Sequence, residues 1–427
     1  MRASAARIAR SPWALVGIVC FAFALRVAMT ATFVGLASPP KEAAGGLDVV
    51  DYEGLAWRVA EGRGYVLADG APTARRSPGT SFALVPVYLL FGHSYLAAHL
   101  WFCLLSALTC AASVWLASMA LPRDVALLAG LWLAVYPGHA YPSMHFFSEV
   151  PLGLVLVLAC GATVRSLQGA GEGWAPTAGA LWGAAVLIRP NTLAALPVAI
   201  AAVVVFARSQ TRAHLRRVAI VVAVAAIMVT PWIARNALVM GRPTIATVVG
   251  GYTFWGANNE RVLRDKALRG SWIFGAQLVD QEHPLVGNEV AREAMAWRYG
   301  FQFVRGHLGE MPGLVAARLW RLVSPLESTS NRPVYYAFAL AWLVTAPFVA
   351  WGALGISRSH PLFAAVLLTP IVGTVATAAV FYGSIRFRDS LAPLLLIFAA
   401  AAVPTALRGL LAFVLRARRP APPSRLA

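Results

Sequence analysis

Charge is scarce in this chain, and acid is scarcer still. Only 13% of its 427 residues are charged, 18 acids stand against 36 bases, and just two of those bases are lysine. Together with 59% hydrophobic residues, this excludes a soluble globular domain and leaves a polytopic membrane protein. Cysteine is sparse too: Cys20, Cys103, Cys110 and Cys160 all lie inside apolar runs, so neither a disulfide framework nor a zinc spacing is present. The eight histidines do not pair at ligand spacing, so no metal site is expected. No RNA- or DNA-reading motif accompanies the arginines, which are scattered through the connections, and nucleic acid is excluded as a partner. The net charge of +18 favours anionic lipid headgroups or phosphate-bearing substrates instead.

What is abundant is long apolar sequence. Runs able to cross the roughly 30 Å of bilayer hydrocarbon fall near 13–34, 94–118, 124–141, 146–164, 175–190, 191–207, 218–238, 335–356, 361–381 and 391–415. They predict an all-α membrane protein with about ten transmembrane helices in a single domain over 1–427. The first run exceeds a signal-peptide core and reads as a retained span. Short connections are crowded with arginine: Arg2, Arg7 and Arg10, then Arg208, Arg212, Arg216 and Arg217, then Arg416, Arg418 and Arg419. The positive-inside rule therefore puts both termini, including a basic tail at 416–427, in the cytoplasm. Two large segments then face outward, a first loop at about 35–93 and a long loop at 236–334 between spans seven and eight. Thr80 to Gly92 is too short to span and is interrupted by Pro86, so it is expected as an interfacial helix within the first loop. In the long loop two helical stripes, Val290, Ala294, Trp297, Phe301, Val304 and Met311, Val315, Leu319, Leu322, predict further interfacial helices. Arg305, Arg318 and Arg321 are then expected at headgroup depth.

The unusual polar residues collect on that outer side. Gly46 to Gly64 is an acidic island in which Tyr52, Leu55, Ala56 and Val59 recur at helical spacing until Gly62. Asp48 stands where that helix should begin, and a helix N-terminus favours an ionised carboxylate. Asp48 is thus either a reactive anion or a simple cap, with Asp51 beside it. Glu149 opens an otherwise apolar span, where a carboxylate either has a function or reaches water. Arg26, inside the first span, is expected to snorkel to the outer headgroups. Gly250-Gly251 permits close backbone approach, and Asn258-Asn259 supplies amides for sugar hydroxyls. Arg386 and Arg388, just before the last span, suit either a lipid-linked phosphate or headgroup anchoring.

In this order the pieces resemble GT-C glycosyltransferases, the group that includes protein O-mannosyltransferases and the lipid A aminoarabinose transferase. The resemblance is carried by Asp48, Tyr52 and Ala56 at four-residue spacing, Gly62 to Tyr65, Pro72-Thr73, Ser77-Pro78-Gly79 and Leu90-Phe91-Gly92. It continues through Ser148-Glu149, Leu187 to Pro190, Pro231-Trp232, Arg235-Asn236, Gly250-Gly251, Asn258-Asn259 and Arg386-Phe387-Arg388. It implies a transferase in a bacterial-type inner membrane that moves one sugar from a polyprenyl-phosphate carrier to a lipid, glycan or protein acceptor at the extracytoplasmic face. No cofactor is required, because the carrier brings its own leaving group; metal dependence stays open. On this resemblance Asp48 is the catalytic base and Asp51 its nearest competitor. Arg386, Arg388 and Arg189 are candidates for the donor phosphate, and Tyr52, Glu149, Arg235, Asn258 and Asn259 for substrate. The sequence departs from the family's pattern at Val49, where a second acid is usual, and no large soluble C-terminal domain is expected. Two other classes compete. A secondary transporter would need midplane ionisable groups and repeated halves, and a non-catalytic envelope assembly protein would tolerate loss of Asp48.

Overall fold

A computed structural model describes residues 13–41, 47–206, 211–245, 247–326 and 333–417. Gly46 and the basic residues Arg2, Arg7, Arg10, Arg208, Arg418 and Arg419 lie outside the described residues. Among the described residues the only regular structure besides helix is an isolated bridge between Val66 and Pro72.

The chain opens with α1 (Trp13–Phe33), followed by a segment carrying α2 (Leu47–Ala60) and α3 (Pro78–Phe91). Helices α4 (Tyr95–Ala117) and α5 (Arg123–Val135) form a hairpin, and the short α6 (Pro137–Ala140) leads to α7 (Glu149–Leu167). Then come α8 (Trp174–Ile188), α9 (Ala195–Phe206) and α10 (Thr211–Met240). A second non-spanning segment holds α11 (Gly250–Ala257), α12 (Glu260–Arg264), α13 (Glu289–Gly306) and α14 (Met311–Val323). The remaining helices are α15 (Pro333–Ser359), α16 (Pro361–Val380), α17 (Ile385–Asp389) and α18 (Ala392–Ala417).

Seven of these, α1, α4, α7, α10, α15, α16 and α18, are long and apolar enough to cross a membrane. Helices α5, α8 and α9, with 13, 15 and 12 residues, fall short of the usual length. Their neighbours nevertheless require them to cross. Gly161 and Gly153 of α7 lie against Trp115 and Thr109 of α4, so α4 and α7 run in the same direction and α5 returns the chain between them. Gly179 and Gly183 of α8 meet Val224 and Met228 of α10 in the same parallel sense, which makes α9 a return stroke. The ten-span path is kept, but with shorter members than hydropathy predicts. The run expected over 124–141 is cut at Tyr136, whose extended backbone (ψ 117°) is what a residue before proline adopts.

The core lies between α4, α5, α7, α16 and the first half of α18, where Leu133, Leu156, Leu367 and Phe398 are buried. At one end of the bundle, which we call the loop end, α3 packs Leu84 and Tyr88 onto Ala56 of α2 and Phe102 of α4. At the opposite end His214 and Arg217 both donate to the Leu167 carbonyl, at 3.1 and 2.9 Å.

Three charges expected at headgroups are instead inside. Arg26 is fully buried, donating to Ser106 Oγ at 2.6 Å and to the carbonyls of Ala22 and Ala134, both at 3.0 Å. With acceptors supplied at depth, it has no need to snorkel. Helices α13 and α14 form where the stripes predict them, and Arg305 is exposed, but Arg318 and Arg321 are buried. Arg318 donates to the carbonyls of Ala379, Val380 and Ala257 and to Asn258 Oδ1, at 2.8–3.0 Å. These are unpaired carbonyls at the C-terminal ends of α16 and α11, where the helix dipole also favours a cation. Arg321 holds the carbonyls of Arg269 and Ala267 in the same manner.

Candidate functional site

Helix α2 buries Val49, Tyr52, Leu55 and Ala56 and is followed by Gly62 in the left-handed region (φ 77°), as the periodicity requires. Asp48 lies in its first turn, and Asp51, three residues on, shares that face. Both carboxylates meet a pair of arginines that the sequence reading overlooked. Arg76 forms an ion pair through Nη1 with Asp48 Oδ1 at 2.7 Å and donates through Nε to Asp51 Oδ2 at 2.8 Å. Arg75 pairs with the other oxygen of Asp51.

The segment bearing these arginines is braced from the second loop-end segment. Glu289 accepts from Thr73 Oγ1 at 2.7 Å and from the Ala74 N–H at 3.1 Å. Thr247 donates to the Arg75 carbonyl at 2.8 Å, and Val248 N–H to the Ala74 carbonyl at 2.9 Å.

The other half of the site comes from the break after α8, the start of α7 and α17. Pro190 forces Arg189 into an extended conformation (φ −141°, ψ 110°), which ends α8 and turns its side chain onto α7. There Arg189 donates to Glu149 Oε1 at 2.8 Å and to Ser148 Oγ at 2.9 Å. Glu149, at the N-terminus of α7, also takes two donations from Arg386, through Nε and through Nη2, the second at 3.2 Å. Arg386 lies 4.3 Å above the Phe147 ring and reaches Asp48 Oδ2 with Nη1 at 3.3 Å. Three carboxylates and four guanidinium groups therefore form one continuous cluster, with a surplus of one positive charge. Its more open members are Arg75, Arg386 and Asp48, whose side chains are 40%, 35% and 30% exposed, against 12% for Asp51 and 4% for Glu149. Burial pulls the Arg386 guanidinium pKa down, but Glu149 and Asp48 override it and raise it, so Arg386 stays charged. Two phenols border the cluster. Burial raises the pKa of Tyr52, and that of Tyr382 to about 12, so both remain neutral hydrogen-bond donors. Among the described residues no group of three or more His, Cys, Asp or Glu could hold a metal ion.

From Thr192, whose hydroxyl donates to the Arg189 carbonyl, the bundle opens into an apolar cavity of about 320 Å³. It is lined by Trp182, Val186, Leu193, Val222, Val229 and Ile233, among others, and runs between α7, α8, α9, α10 and α16.

Of the residues predicted from sequence, Asp48, Asp51, Glu149, Arg189 and Arg386 come together and Tyr52 borders them. Four others do not join them. Arg388 is buried, donating to Asp389 at 2.9 Å and to the Ser324 carbonyl at 2.7 Å, with its guanidinium 4.3 Å above Trp342. Arg235 is a strut, donating to the carbonyls of Thr73 and Tyr65 at 2.7 and 2.8 Å. Asn258 binds the Phe254 carbonyl and Arg318, and Asn259 caps α12 through the Val262 N–H. Each of these side chains is held by internal partners, although Arg388 Nη2 is buried without a hydrogen bond. Arg75, Arg76, Phe147 and Tyr382 enter in their place. The adjacent pair Arg75-Arg76, directly before Ser77-Pro78-Gly79, was the available signal.

Comparison with known proteins bears on this arrangement. A family model described as dolichyl-phosphate-mannose-protein mannosyltransferase matches residues 75–234, less than half of the chain. No curated protein matches. Among solved structures, ArnT from Cupriavidus metallidurans bound to undecaprenyl phosphate aligns over 94% of this chain and 81% of its own, at 16% identity and TM-score 0.42. Its apo form gives 95% and 81% coverage, 18% identity and the same TM-score. The Archaeoglobus fulgidus oligosaccharyltransferase, tethered to an acceptor peptide containing the NVT sequon, covers 95% of this chain at 13% identity and TM-score 0.54. The chain spans about half the length of that enzyme. The likeness to the oligosaccharyltransferase, at TM-score 0.54 over 95% of this chain, carries the fold, and the chain has the GT-C fold.

Proposed function

We propose that this GT-C-fold chain is a membrane glycosyltransferase that takes one sugar from a polyprenyl-phosphate carrier and passes it to a hydroxyl-bearing acceptor at the extracytoplasmic face. The observation that carries the proposal is the cluster itself: a partly open carboxylate, Asp48, paired with two arginines, in a bundle whose apolar cavity reaches Thr192, three residues past Arg189. The surplus positive charge suits a phosphodiester, which carries a single negative charge. The apolar cavity suits an isoprenoid chain.

In this reading Asp48 takes the proton from the acceptor hydroxyl as its oxygen attacks the anomeric carbon. The bond between that carbon and the phosphate oxygen breaks, and the electron pair leaves with the carrier. Arg386, poised on the open side, stabilises the second charge that develops on the phosphate. Glu149 and Arg189 hold Arg386 in position, and the phenols of Tyr52 and Tyr382 are donors for phosphate or sugar oxygens. The transporter reading finds less support, because the one charge within α1, Arg26, is sealed by its own partners.

The test is sugar transfer from a polyprenyl-phosphate sugar by the purified chain in proteoliposomes. Asp48→Asn keeps the shape of the side chain and removes its basicity, so turnover is expected to fall by about a hundredfold or more at unchanged membrane abundance. Full activity in this variant overturns the assignment of the base.

A further inference from the structure

We propose that Asp48 is held idle until the donor arrives, the carrier phosphate taking over the guanidinium groups on both its oxygens while Asp51 keeps Arg76 in place for the exchange. The inference rests on the donor class and the base assigned above. In the resting site Asp48 Oδ1 is paired with the Arg76 guanidinium and Oδ2 accepts from Arg386. An acceptor hydroxyl that reached Asp48 now would compete with two cations for the same oxygens.

Each of these arginines has a second hold. Arg76 grips Asp51 through Nε at 2.8 Å, and Arg386 grips Glu149 through Nε and Nη2. Either can therefore turn its Nη1 group from Asp48 to an incoming anion without leaving the site. The contacts also differ in access. Among the three carboxylates Asp48 is the most exposed, at 30% against 12% for Asp51 and 4% for Glu149, so an incoming anion reaches the contacts to Asp48 first. Arg75 adds a second cation to Asp51, which fixes that carboxylate as the anchor and leaves Asp48 as the exchangeable partner.

The exchange orders the chemistry. Phosphate on Arg76 and Arg386 frees Asp48, which then accepts the proton of the acceptor hydroxyl as the new glycosidic bond forms and the sugar–phosphate bond breaks. Release of the carrier phosphate returns both arginines to Asp48, which loses its proton to water. The donor must bind first. Asp51 is thus a positioning residue, and the two aspartates of α2, three residues apart, have opposite effects on the phosphate.

That opposition is measurable without knowing the acceptor. The probe is undecaprenyl phosphate, titrated at low ionic strength against the full chain in nanodiscs, with folding of each variant checked by thermal unfolding. Asp48→Asn removes the competing anion and is expected to tighten binding about tenfold, the size of one charge-assisted hydrogen bond. Asp51→Asn loosens Arg76 and is expected to weaken binding several-fold, with Asp51→Glu recovering most of the loss. Simple charge removal would instead tighten both. Equal tightening by both variants, or weaker binding by Asp48→Asn, overturns the inference while leaving the transferase reading intact. Failure of the wild-type chain to bind the probe overturns both.

Discussion

Arg386 and Arg388 stand two apart in α17, and on a helix two positions differ by about 200°, so they face opposite ways. One points into the cluster with Asp48 and Glu149, and the other is buried beside Asp389 and Trp342. The sequence treats them as equals because both are arginines next to a span; only the helix between them separates their roles. Two outcomes follow. Arg386→Ala is expected to raise the donor KM or lower turnover, and Arg386→Lys to recover part of the loss, because an ammonium lacks the fork that engages two carboxylates. Arg388→Ala leaves Asp389 buried without its cation, and loss of one partner of a buried pair costs about 3–5 kcal/mol. Thermal unfolding of the purified variants checks this. Donor KM should be unchanged in whatever fraction of Arg388→Ala folds, and a raised KM there would return Arg388 to the site. Arg75 and Arg76 illustrate the opposite failure of the sequence. Their adjacency before Ser77-Pro78-Gly79 is the one local mark they carry, and their meaning lies in the Asp51 carboxylate, 24 and 25 residues away.

At the scale of elements, periodicity revealed which stretches are helical and concealed what they pack against. The stripes of α13 and α14 were legible as apolar faces, but a hydrophobic stripe does not say whether lipid or protein covers it. Here α14 lies against the turn after α16, where Gly383 N–H donates to the Gly270 carbonyl at 3.0 Å. A Cβ on Gly383 would overlap the Arg318 carbonyl. That close approach sets the path of the chain carrying Tyr382 and Arg386 into the site, so Gly383→Ala is expected to destabilise the protein by about 1–3 kcal/mol. Turnover should fall as well, as Arg386 is displaced from Asp48. Gly409→Ala on α18, where a Cβ meets nothing within 4 Å, is the control and is expected to stabilise slightly. Equal stability of the two variants would show that the contact between α14 and this turn does not fix the site. The resting position of Glu149 has a related origin. Phe146 adopts a left-handed backbone (φ 54°) while packed between His99 and Phe102, and this bend delivers Phe147, Ser148 and Glu149 to the loop end. No periodicity signals such a bend.

For the whole molecule, the side on which the loop end lies decides what the site can meet. Hydropathy was enough to count the spans, because burial in lipid demands apolar sequence whatever the packing. It overestimated the run at 124–141, since a run of apolar residues does not show that Pro137 breaks the helix, whereas the break at Pro190 was legible as the boundary between 175–190 and 191–207. Orientation rests on arginine. The opposite end carries Arg123, Arg165, Arg212, Arg216 and Arg217 in the end turns of helices joined by short connections, where the positive-inside rule applies. The loop end carries many arginines too, but they belong to long folded segments to which that rule does not extend, and several are paired with carboxylates. The loop end is therefore expected outside. Single cysteines in place of the exposed Ala71 and Lys266, in a background without the four native cysteines, should react with an impermeant thiol reagent in intact cells. One in place of Glu172, exposed between α7 and α8, should react only after permeabilisation. Labelling at Glu172 in intact cells, with silence at Ala71 and Lys266, would turn the protein over and put Asp48 and Arg386 in the cytoplasm. Soluble activated sugars are available there, so the site would have no need of a lipid-borne donor. The surplus charge and the apolar cavity would then require a different account.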